Sequence, residues 1–153
     1  MFKLFSKKPQ HFFSVEEQEQ IVAAVKSAEH RTSGEVRVFV ESKCAFVHAV
    51  DRAKEIFYSL KMDATEKRNA TLVYVAMKDR QLAVFGDEGI YAKTEKDFWN
   101  NAVKKMLAHF DKQNYAHGIA ETVKEIGDTL AIHFPYDAAT DKNELPDEIV
   151  FGK

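Results

Sequence analysis

The chain has a single cysteine, Cys44. It can form no internal disulfide and no cysteine-built zinc site. Sparse thiol use agrees with a reducing compartment. Proline is almost absent: Pro9, Pro135 and Pro146 are the only three, and none interrupts a periodic segment. No stretch approaches the roughly 20 apolar residues that cross a bilayer. The basic start, Met1 to Lys8, has no apolar run behind it, so neither a signal peptide nor a transmembrane segment is expected and the cytoplasm is the default location. An excess of one charge is missing too. Lys+Arg 22 against Asp+Glu 24 gives a net charge of -2, which argues against a dedicated nucleic-acid binder. The sequence also lacks a phosphate-binding glycine-rich loop, a Gly-x-Ser-x-Gly elbow and a His-Glu-x-x-His helix. The six histidines are scattered, with no two at a metal-ligand spacing on one helix face.

What is present fits one domain. The chain has 153 residues and is 45% hydrophobic, enough for a core without metal or disulfide staples. The periodic segments place the folded body at residues 12–134. Residues 1–11 read as a flexible, solvated arm; contact of Phe2, Leu4 and Phe5 with a membrane surface is the weaker reading. Residues 135–153 form a tail that is acidic from Asp137 to Glu148. Leu145, Pro146, Ile149, Val150 and Phe151 supply apolar anchors, so the tail is expected to extend and pack back on the body.

Within the body, Ser14-Val15-Glu16-Glu17 is a capping box. Ile21, Val22, Val25 and Ala28 follow at helical spacing. Glu35 to Glu41 alternates and is rich in valine, which predicts a strand. Phe46, Ala49, Val50, Ala53, Phe57 and Leu60 make one helical stripe. Ala70 to Met77 is apolar almost throughout, as central strands buried on both faces are. Lys78-Asp79-Arg80 turns the chain into a returning strand, Gln81 to Phe85. Thr94 to Asp97 can cap a third long helix bearing Phe98, Trp99, Ala102, Val103, Met106, Leu107 and Phe110. A fourth carries Tyr115, Ile119, Val123, Ile126 and Leu130 and stops before Pro135. The order α-β-α-β-β-α-α, with a right-handed crossover between parallel first strands, predicts a three-layer α/β/α sandwich around a small mixed sheet.

That topology gathers oxygen ligands. The starts of the first two strands and the end of the third share one sheet edge, which places Glu35, Asn69, Asp87 and Glu88 together with Asp97 on the rim. Gly86 and Gly89 let the backbone bend around the acidic pair. Hard cations, Ca²⁺ or Mg²⁺, choose such ligands, and an open, loop-built edge suits Ca²⁺ better. A plainer reading stands beside it: Asp97 caps a helix, Glu35 pairs with Arg68, and Asp87-Glu88 is an ordinary acidic turn. Arg68 is either a surface cation, an orienting partner for a carboxylate, or a bidentate holder of a phosphoryl group. Cys44 reads as a bystander, because no histidine or helix N-terminus is evident beside it.

The segments Thr32-Ser33-Gly34-Glu35-Val36, Arg68 to Ala76, Gly86-Asp87-Glu88-Gly89-Ile90 and Phe98-Trp99 occur in the order of the TPM domain, also called TPM phosphatase. Asn143-Glu144-Leu145-Pro146-Asp147-Glu148-Ile149 is similar to the ending of its compact bacterial members. The resemblance covers roughly residues 12–151. It implies a Rossmann-like sandwich, a divalent metal (often calcium) at one end of the sheet, and acid phosphatase activity reported for some members. By that analogy Glu35, Asn69, Asp87, Glu88 and Asp97 fall at the metal site, although Asp87 stands where many members have a neutral residue. Two functions follow as expectations. One is a metal-dependent phosphomonoester hydrolase with Arg68 steadying the phosphate. The other is a non-catalytic module that binds calcium or a protein partner in stress response or assembly.

Overall fold

The computed structural model describes residues 12–137 and 145–152. The arm at 1–11, and Asn143 and Glu144 of the tail motif, lie outside the described residues. Helix α1 spans Val15–Glu29. Its capping box is made in full: Ser14 Oγ accepts from Glu17 N–H at 3.1 Å, and Glu17 Oε1 accepts from Ser14 N–H at 2.8 Å. Two of the helix's orphan N-terminal donors are thereby satisfied.

Strand β1 (Glu35–Glu41), helix α2 (Ala49–Ser59), strand β2 (Ala70–Ala76) and strand β3 (Gln81–Gly86) follow. One short turn of helix, α3 (Glu88–Tyr91), precedes α4 (Phe98–Asp111) and α5 (Tyr115–His133), and a two-residue strand, β4 (Val150–Phe151), is the last of the described elements. The sheet order is β3-β2-β1-β4. β1 runs parallel to β2 and to β4, and β3 is antiparallel to β2.

The sandwich has the expected layers. Val36, Val38, Val40, Val73, Val75, Leu82 and Val84 pack on the side of α1, α4 and α5. Phe39, Leu72, Tyr74 and Ala83 face α2 through Ala53, Ile56 and Phe57. The two clusters follow the two phases of each strand, since successive side chains leave a strand on opposite faces.

The structure departs from the sequence reading in four places. α3 and β4 had no pattern long enough to announce them. α2 begins at Ala49, leaving Phe46 outside it and Val50 exposed; its buried stripe is Ala49, Ala53, Ile56 and Phe57. Asp97 is the α4 N-cap residue but makes no side-chain cap bond. Thr94 is spent elsewhere, accepting from Trp99 Nε1 at 3.1 Å and donating to the Tyr91 carbonyl.

Candidate functional site at the start of the sheet

The register brings the expected segments to one end. Glu35 lies opposite Ala70, and Thr71 opposite Gly86. Asp87 N–H donates to the Ala70 carbonyl at 2.9 Å, and Gly89 N–H to the Arg68 carbonyl at 2.8 Å. The loop before β2 and the turn after β3 therefore press backbone against backbone. A Cβ on Gly89 would stand 2.2 Å from the Lys67 carbonyl oxygen, which is why only glycine fits there.

Arg68 organises this edge. Its φ of 52° puts it in the left-handed region, uncommon for a residue with a Cβ. The guanidinium turns onto Asp87 in a fork, Nε to Oδ2 at 2.7 Å and Nη2 to Oδ1 at 2.8 Å. Nη1 reaches Glu88 at 2.6 Å. Asp87 is 2% exposed and also accepts from Glu88 N–H, capping α3. Its partnership raises the Arg68 pKa further above its ordinary value, chiefly through the Asp87 hydrogen bonds. A bidentate pair of this kind is the strong form of ion pairing.

Asn69, next in the chain, is 1% exposed, and among the described residues neither its amide oxygen nor its amide nitrogen has a hydrogen-bond partner. Thr71 Oγ1, two residues on and in the same strand phase, is also buried and unpartnered. Buried polar atoms are nearly always paired with protein, water or ligand, which sets these atoms apart at this end of β2.

Glu35 belongs to a different group. It lies in the α2 phase of β1, the phase that Asp87 also takes in continuing β3 opposite Ala70, while Asn69 and Thr71 follow the opposite phase of β2. Its Oε1 accepts from Leu145 N–H at 2.9 Å. The Arg68 guanidinium, its partner on the plainer reading, goes to Asp87 and Glu88. Asp97 is exposed and lines a groove between α4 and α5 with Lys105, Glu125 and His133. Among the described residues, no group of three or more His, Cys, Asp or Glu side chains is arranged to hold a metal ion. Strand phase and the Arg68 ion pair give the reason: the five expected ligands share one end of the sheet or its flank without forming one cluster.

Two carboxylates escaped the sequence reading. Glu29, at the end of α1, hydrogen-bonds Asp147 of the tail, and its carboxyl is pushed up to about 9. Burial is the first cause, followed by the Asp147 hydrogen bond and the charges of Asp147 and Glu35. Arg37, beside this group, has its pKa lowered by burial, and its Nε is unpartnered. The folded protein thus keeps a proton on Glu29 that the unfolded chain releases above pH 4.5. Stability should be highest at low pH on this account and decline as pH rises from about 4.5 to 9. Glu29→Gln carries no such proton. It should melt higher than the parent at pH 8, by about 1–2 kcal/mol because Glu29 is only half-buried and solvent screens it, and equal it near pH 4. Denaturant midpoints at the two pH values check this; an equal gap at both would assign the effect to packing.

The opposite end of the strands holds a second polar knot, on the α2 face. Arg52 of α2 forks onto Glu41 at 2.8 and 2.9 Å, and the Tyr74 hydroxyl donates to the same carboxylate. Burial, then the Glu41 bond, raises the Tyr74 pKa. Cys44 N–H is held by Asp79 at 2.7 Å. Arg52, Glu41 and Tyr74 thus tie α2 to β1 and β2, and the Cys44–Asp79 bond ties the loop after β1 to the β2–β3 turn.

The sandwich with this edge corresponds to a small α/β domain of a recognised kind. A family model for the TPM domain matches residues 6–129, and the chain belongs to that family. The protein BA42 of the psychrophilic bacterium Bizionia argentinensis, solved by NMR, is 35% identical with a TM-score of 0.83, covering 94% of this chain and 98% of its own. The N-terminal domain of the cg2496 protein of Corynebacterium glutamicum has a TM-score of 0.62 at 12% identity, with 84% and 87% covered; that likeness is one of fold. No curated protein matches the sequence. No helix among the described residues is long and apolar enough to cross a membrane.

Proposed function

We propose that this TPM-domain protein is a non-catalytic, cation-responsive module that binds a divalent cation at the start of β2, with Ca²⁺ favoured over Mg²⁺. The observation that carries the reading is Asn69: a buried side-chain amide without a partner among the described residues, one residue from both Arg68 and Ala70, which hold Asp87 by side chain and by backbone. The donors here are all oxygen, from Asn69, Asp87, Glu88 and the carbonyls of the 67–68 loop, the chemistry of a hard cation with adaptable geometry. By strand phase Asn69 lies toward one face of the sheet and Asp87, with Glu35, toward the other, so the donors bracket the sheet edge; Asp97 stands apart. Arg68 is the resident positive charge of the site, with a side chain 36% exposed and free to leave toward solvent. A bound cation would supply the charge that Arg68 now supplies, so affinity is modest and the two compete.

Phosphomonoester hydrolysis has less support. Arg68, the side chain expected to hold the phosphoryl group, already spends its bidentate edge on Asp87.

Competition gives the test. Arg68→Gln should bind Ca²⁺ about tenfold more tightly than the parent by titration calorimetry, a coupling within the usual range for two linked ligands, and Asp87→Asn should lose binding. Equal or weaker binding by Arg68→Gln would remove Arg68 from the site. Turnover of p-nitrophenyl phosphate that a chelator abolishes would move the protein to the hydrolases.

A further inference from the structure

Among the described residues no strand pairs with the outer edge of β3. Because Asp87 bonds Ala70, the antiparallel ladder exchanges its hydrogen bonds at residues 81, 83 and 85, and Leu82, Val84 and Gly86 direct N–H and C=O away from β2. No hydrogen bond from outside the ladder reaches these three residues among the described residues. Proteins usually blunt such an edge with lysine, proline, a bulge or a covering element. Leu82-Ala83-Val84-Phe85 has no charge and no proline, and it pairs with β2 without a bulge.

The edge is instead the floor of a groove of about 640 Å³. One wall is the approach to α2, where Val47 and Val50 are exposed. The other is α4 and the turn before it, with Trp99 and Val103 low on the wall and Lys96 and Lys104 lining it as well. Among the described residues, no acidic side chain lines the groove.

We propose that this groove takes an extended, acidic peptide of a partner protein, which adds a strand to the outer edge of β3. Backbone hydrogen bonds from Leu82, Val84 and Gly86 give affinity, and alternate side chains meet the two walls, the usual division of labour in strand addition. Charge selects the occupant. A second copy paired edge to edge would bring Lys96 and Lys104 of both copies together, and the chain's own start, with Lys3, Lys7 and Lys8, meets the same repulsion. An acidic segment is attracted. The inference does not rest on the cation reading.

The test uses the full chain, ¹⁵N-labelled, in EDTA, so that the cation site has no part in it. The probe is a short synthetic peptide of alternating valine and glutamate. Saturable amide shifts should centre on Leu82, Val84, Gly86 and residues 96–104, with slowed hydrogen exchange at 82 and 84. A valine–lysine peptide, and the acidic peptide N-methylated on one edge, should each bind at least about tenfold more weakly, the combined worth of a few rim charges or edge hydrogen bonds. Lys96→Glu with Lys104→Glu, both surface changes, should reverse the preference between the two charged peptides. Absence of saturable shifts, shifts centred elsewhere, or equal binding of the lysine or N-methylated peptide overturns the proposal. So do β3 shifts that grow with protein concentration without peptide, which would assign the edge to a second copy.

Discussion

Trp99→Ala should cost about 3–5 kcal/mol, the range for emptying a buried aromatic site. Trp99 sits on the inward stripe of α4 and is 8% exposed. Its ring occupies the space that a side chain at position 86 would fill: a Cβ on Gly86 would stand 2.3 Å from Trp99 Cη2. Glycine there is the notch that seats the indole. Tyr91 stacks on the ring and Phe98 meets it edge-on, with centroids 6.3 and 4.9 Å away. Nε1 is satisfied by Thr94, so the ring carries no unpaired donor into the core. Alanine would leave a cavity between α4, α3 and the end of β3, and would free the Thr94 hydroxyl. Equilibrium denaturation checks it. A loss below about 1 kcal/mol, the scale of a surface change, would mean that the ring contributes little to the core.

Phe151→Ala should cost a similar amount, about 3–5 kcal/mol, although it lies at the far end of the chain in a two-residue strand. Phe151 is buried. It stacks on Phe12 at 6.3 Å and tilts against Phe13 at 6.4 Å, and so joins the end of the chain to the entry of α1. Val40 opposes it in register, and Gly152 N–H donates to the Val40 carbonyl at 2.8 Å. The tail is therefore the fourth strand of the sheet and covers the open edge of β1. Removing its anchor should lower the melting temperature and expose the β1 edge, read as faster hydrogen exchange at Val40, whose backbone faces β4. If exchange there stays slow and the melt is unmoved, β4 contributes little to the fold.

These residues also show which parts of the structure a single sequence carries. The capping box at Ser14, the apolar run of β2 and the short turn after Met77 act locally, and the elements they predict are present. The crossover rule then puts the starts of β1 and β2 side by side without further information. Pairings between distant residues were not legible. Arg68 and Asp87 stand 19 residues apart, and Glu35 was as good a partner on paper; the left-handed turn at Arg68 decides between them. Glu29 and Asp147 are joined only because β4 returns the tail beside β1, and two residues of strand leave no periodic signal. Strand phase is what separates Glu35 from Asn69. It was readable in principle, since the two occupy alternate positions relative to the paired Ala70, but topology alone had grouped them.

The proposed cation site lies between the loop before β2 and the turn after β3. Its most direct test is titration of the ¹⁵N-labelled chain with CaCl₂, followed amide by amide. Shifts should centre on residues 68–71 and 86–89, with the Asn69 side-chain amide and the Arg68 Nε–H among the largest as the guanidinium leaves Asp87. Shifts centred instead on Glu29, Glu35 and residues 145–148, or on the hairpin around Asp79, would place the cation elsewhere and overturn the proposed site.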